Sequence, residues 1–124
     1  MVELLLRPER ETSSAELAEA LGTSRESVYQ LLLPLVKAGY VRAGRGRNGG
    51  YRSAPGAESL PVADVVAPYG GLGTESVLGQ KEPPAIHELV RRADEAYRRV
   101  LDGTTVGELA ASVRASREAL VWEI

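Results

Sequence analysis

The sequence predicts a mainly α-helical fold carrying one small β-hairpin, and three stretches predict it. Residues 13–37 hold two helical apolar patterns, each opened by a capping serine and separated by a glycine turn. Residues 40–53 hold two short strand-like runs around a core of glycines and arginines. Residues 85–101 repeat apolar side chains at i, i+3, i+4 and i+7 for about five turns, a long amphipathic helix. Two short helices followed by a hairpin is the layout of a winged helix-turn-helix, and the long helix reads as its dimerisation element. The predicted organisation is a winged head over residues 1–67, a loop or linker over 68–84, and a dimerisation helix plus C-terminal helix over 85–124.

In chain order, residues 2–6 form a short apolar helix stopped by Pro8. Ser13 with Glu16 is a capping box, and Leu17, Ala18 and Leu21 form the apolar stripe behind it. Gly22 closes that helix, where a left-handed residue is needed. Ser24 opens the second helix, whose Val28, Leu31, Leu32 and Leu35 are spaced to pack on the first. Arg25, Glu26, Ser27, Tyr29 and Gln30 are left facing outward. Pro34 removes a helical hydrogen bond and should kink this helix near its end, and Leu33 reads as a partly covered surface leucine. Residues 40–43 and 51–53 are the strands, with Gly44, Gly46, Gly49 and Gly50 expected to supply turn conformations between them. Residues 54–59 make a turn, Pro61 starts a helix with Val62, Val65 and Val66, and the Gly- and Pro-rich residues 68–84 read as loop. After the long helix, Thr105 with Glu108 is a second capping box, and the helix it opens continues or frays beyond Val113. No internal repeat is visible.

Charge is distributed unevenly. The chain carries 15 basic and 17 acidic residues, yet Lys37, Arg42, Arg45, Arg47 and Arg52 follow one another with no acid between. A basic cluster confined to a hairpin, beside a helix with a polar outward face, is the footprint of nucleic-acid contact. The residues expected to meet double-stranded DNA are Ser24, Arg25, Ser27, Tyr29 and Gln30 on the helix, and Arg42, Arg45, Arg47, Asn48 and Arg52 on the wing. The expected dimer seam uses Ile86, Leu89, Val90, Ala93, Tyr97 and Val100.

The run GTSRESVYQLLLPLVKAGYVRAGRGRNGGYR resembles the signature of the Rrf-two family of bacterial winged-helix regulators, its KAG and RGxxGGYR elements above all. Residues 60–66 resemble the helix that follows the wing in that family, and residues 101–109 the end of its dimerisation helix and what comes after. The resemblance covers nearly the whole chain and implies a homodimeric transcription regulator, a repressor, on a palindromic operator. It also marks departures. The family's first helix usually starts earlier, so this one is truncated or begins from a different start, and Leu33 stands where a charge is usual. The family's three cluster-binding cysteines would fall in residues 68–84, and the chain has no cysteine, so no cofactor is expected. His87 matches a histidine ligand of cluster-bearing relatives, but without thiolates it reads as an interface residue on the dimer helix.

Other chemistry is sparse. The 44–50 glycines lack the Lys-Ser/Thr of a phosphate-binding loop and lie between strands, and His87-Glu88 lacks the second histidine of a zinc-protease helix. The charges of residues 88–99 read as a solvated face with pairs such as Asp94 with Arg98 and Glu95 with Arg99. No catalytic or metal residues are therefore expected. No stretch has the length of a membrane span or the flanks of a signal peptide, and the absence of cysteine suits a cytoplasmic protein. Residues 68–84 are a place for a small-molecule or protein effector. The competing function is a protein-interaction module that keeps the winged fold without reading DNA, with Pro34 and the short first helix as its marks.

Overall fold

The computed structural model describes residues 1–44, 49–69 and 81–123. Six helices and one hairpin are present among them: α1 (Val2–Leu5), α2 (Ser14–Leu21), α3 (Arg25–Lys37), β1 (Val41–Ala43), β2 (Tyr51–Ser53), α4 (Val62–Val66), α5 (Pro84–Asp102) and α6 (Val106–Glu123). Short 3-10 turns at Ala57–Ser59 and Ala67–Tyr69 flank α4. None of these helices is long and apolar enough to cross a membrane.

The predicted start and stop signals operate as local chemistry requires. Ser13 Oγ accepts from the Glu16 N–H at 3.1 Å, while the Glu16 carboxylate reaches back to the Ser13 N–H at 3.4 Å. Gly22 then takes φ 64°, which lets its own N–H and the next one return to the carbonyls of Glu19 and Ala18. Ser24 caps α3 in the same way, accepting from Ser27 N–H at 3.1 Å, and α3 runs unbroken through Pro34.

Two apolar clusters meet at α1. Leu4 joins Leu17, Ala18, Val28, Leu32, Leu35 and Val41 beneath the two capped helices, whereas its neighbour Leu5 joins Ala57, Val106 and Ala110. The four-residue α1 is thus a wedge that fastens the last helix to the head. Backbone bonds reinforce it: Val62 N–H reaches Thr104 O at 2.8 Å and Val106 N–H reaches Leu60 O at 2.9 Å.

Several expectations are corrected. Leu31 is 48 % exposed rather than packed on α2, because the apolar arc of α3 is wider than the surface α2 offers. Its carbonyl accepts from the Tyr69 hydroxyl, and Leu21, Leu31, Val65, Val66 and Tyr69 border an open apolar groove of about 400 Å³. β1 begins at Val41, one residue late. Gly44 and Gly50 do not take positive φ, which falls instead at Gly22, Gly39 and Gly56. Gly50 is a glycine for lack of space, since a Cβ there would stand 2.5 Å from the Thr12 carbonyl oxygen, while a Cβ on Gly44 would stand 2.6 Å from the Glu11 carboxylate, a side-chain end that can shift. Of the two outcomes left open for the helix after Thr105, the structure has continuation, to Glu123, with Leu120, Val121 and Trp122 exposed. On α5 the ion pairs gather around Arg91, which meets Glu88 at 2.7 Å and also Glu95, so Glu95 pairs back toward Arg91 rather than with Arg99.

Candidate nucleic-acid interface

The outward face of α3 is built by its burial pattern. Val28, Leu32 and Leu35 point into the core, while Arg25, Tyr29 and Gln30 are all exposed, Gln30 on the side opposite the buried stripe and Arg25 in the first turn. Ser24 and Ser27 hold a different position. The Ser24 hydroxyl accepts the Ser27 N–H and donates to Ser27 Oγ at 3.0 Å, so these two serines first serve the cap, and Ser27 is half-buried. Glu26, also exposed, lies in the first turn, where a negative charge suits the helix dipole.

The wing is an antiparallel pair with Val41 opposite Ser53, Arg42 opposite Arg52 and Ala43 opposite Tyr51. Val41 faces the core, which places Arg42 and Arg52 together on the exposed face. Like charges directly opposite one another on a strand pair are destabilising. Among the described residues neither guanidinium meets a carboxylate within 4.0 Å, the salt-bridge limit; Arg52 Nε donates instead to the Pro8 carbonyl at 3.0 Å. Arg45, Arg47 and Asn48, expected at the tip, lie outside the described residues.

The hairpin also has a third edge that the sequence reading missed. Thr12 and Tyr51 exchange two backbone hydrogen bonds of 2.8 Å, and the Gly50 N–H donates to Glu11 Oε2 at 3.2 Å. Arg10 grips the Glu16 carboxylate with both terminal nitrogens, at 3.1 and 2.8 Å. That hydrogen-bonded guanidinium, with the Ser13 backbone, holds Glu16 down to about 2, so the capping carboxylate stays ionised far below neutrality. Residues 8–12 therefore tie the wing to the start of α2. The only sequence signal for this was an acidic residue just before a capping box, which is weak.

The expected dimer residues lie on a helix with no buried residue. Ile86, Leu89, Val100 and Ala93 are exposed, while Val90 and Tyr97 are half-buried, and α5 packs against α4. His87 is exposed on the same helix, and among the described residues no group of three or more His, Cys, Asp or Glu is placed to hold a metal ion.

Comparison with known proteins now places this geometry. The "HTH-type transcriptional regulator CymR" of Bacillus subtilis (strain 168) is 31% identical over 125 residues, spanning 100% of this chain and 91% of that protein. The crystal structure of Staphylococcus aureus CymR in its oxidized form has a TM-score of 0.71 at 34% identity, with 88% of this chain and 85% of that one covered. The structure of CymR from B. subtilis, titled the global cysteine regulator of that organism, gives 0.72 at 31% identity, with 90% and 87% covered. Residues 1–112 match the family Rrf2, described as "Iron-dependent Transcriptional regulator". With that match over most of its length and relatives above 30% identity, the chain belongs to the Rrf2 family of winged-helix transcriptional regulators.

Proposed function

We propose that this chain is a DNA-binding transcriptional repressor that acts as a homodimer on a palindromic site, without an iron-sulfur cluster. The observation that carries it is the Arg42–Arg52 pair: two arginines in direct cross-strand register on an exposed strand face, without a carboxylate partner among the described residues, in a fold that also exposes Arg25, Tyr29 and Gln30 on α3. A phosphate oxyanion offsets the repulsion between them, and the helix face supplies hydrogen-bonding groups for base edges. The exposed apolar face of α5 and the open groove beside α4 support self-association, which a palindromic site requires. Among the described residues of the exposed face of α3 and of the wing nothing pairs a nucleophile with a base, so the reading is that of a binder and not of a catalyst.

Selection of bound sequences from random duplex DNA tests the reading, and two-fold symmetric half-sites are expected. On the selected duplex, Arg45→Ala with Arg47→Ala should weaken binding and flatten its salt dependence by about two phosphate contacts per subunit. Unchanged binding would remove the wing from the interface. Failure to bind any duplex at low salt would favour the protein-interaction module instead.

The iron dependence in the family's description does not fit this donor set. Iron-sulfur clusters are held chiefly by cysteine thiolates, the chain has none, and its single histidine is an exposed residue of α5. Protein purified without oxygen should therefore carry neither iron nor sulfide in stoichiometric amount, and stoichiometric recovery of both would overturn this part of the proposal.

A further inference from the structure

A carboxylate sits at the neck of the basic wing. Glu11 Oε2 accepts the Gly50 N–H at 3.2 Å, and both Glu11 oxygens lie 2.6 Å from where a Cβ on Gly44 would stand. Gly44 and Gly50 are themselves joined across the hairpin, N–H to carbonyl, at 2.7 Å. The next residue, Thr12, pairs with Tyr51 in both directions and is fully buried, so the backbone that carries Glu11 is fixed.

We propose that Glu11 is the positioning residue of the wing: its carboxylate accepts the Gly50 N–H and lies against Gly44, and so holds the neck from which the arginine-bearing wing extends. This rests on the DNA-binding reading above. The charge and the acceptor oxygen of Glu11 then have opposite effects on DNA. The acceptor orders the neck, which favours binding, whereas the negative charge lies close to phosphates and opposes it.

The two effects separate by substitution in the full chain. Glu11→Ala loses both, and the Gly50 amide should exchange with solvent about tenfold faster, as expected for loss of a hydrogen bond to a charged acceptor. Its affinity for the selected duplex should fall several-fold. Glu11→Gln keeps an acceptor oxygen and drops the charge, so Gly50 should stay protected and the duplex should bind at least as tightly as to wild type. Gly44→Ala should weaken binding in the wild-type background by displacing the carboxylate, and should add nothing in Glu11→Ala, where the methyl group has room. Unchanged Gly50 exchange in Glu11→Ala, or equal duplex affinity for the alanine and glutamine variants, would overturn the positioning role while leaving DNA binding intact. Wild-type protein that binds no duplex would instead overturn the reading on which it rests.

Discussion

Leu89→Asp should convert the protein from dimer to monomer at tens of micromolar and abolish specific DNA binding, although every residue expected to touch DNA remains in place. Leu89 is 65 % exposed and Val100 70 % on a 19-residue helix with no fully buried side chain. Covering one leucine of this kind contributes about 2 kcal/mol, and a two-fold interface counts each contact twice. Burying an unpaired aspartate at the same place costs several kcal/mol per subunit. The sum exceeds what a modest interface holds, so Val100→Asp should act alike. Arg92→Ala, on an exposed position outside the proposed seam, should do little. Specific DNA binding fails with the dimer because one half-site alone gives up half of the contacts and the benefit of linking the two. Sedimentation equilibrium decides the matter: a wild-type protein of monomeric mass at that concentration would show the assignment of α5 to be wrong.

What the sequence made legible was what short range determines. The caps at Ser13 and Ser24 and the left-handed Gly22 each depend on residues within about a turn of one another, and the rules for those are strong. The exposure of Gln30 followed from the period of Val28, Leu32 and Leu35, whereas Arg25 shares the side of Leu32 and is exposed in the first turn. Glu11 was missed for the converse reason. Its partner, Gly50, is 39 residues away, and no periodicity connects a carboxylate to a distant backbone N–H. Gly44 and Gly50 were noticed but given the wrong reason, since a sequence does not distinguish a glycine required by φ from one crowded by neighbouring atoms. Leu31 shows the same limit on a helix. Spacing marked it as apolar and on the stripe, but only the partner surface decides where a stripe ends.

Arg25→Ala combined with Gln30→Ala should erase sequence preference while leaving much of the non-specific binding. Both side chains leave α3 from its N-terminal half and are exposed, Arg25 in the first turn and Gln30 on the side opposite Val28 and Leu32, and both are of types that form paired hydrogen bonds on a base edge. A well-formed bidentate contact discriminates by about 1–3 kcal/mol, and a two-fold site uses each twice, so the loss of specific affinity should reach at least a hundredfold. Arg25→Lys should fare nearly as badly, since an ammonium lacks the planar fork of a guanidinium. Ser24→Ala should behave differently, because its hydroxyl is committed to the cap: about 1 kcal/mol of stability should be lost with the preferred sequence unchanged. The wing variants give the opposite pattern, with affinity reduced evenly across sequences and a shallower salt dependence. The reading role of α3 therefore stands on that contrast, measured by repeating the selection from random DNA with the double variant. Half-sites as sharply defined as those of the wild type would mean that another element reads the bases.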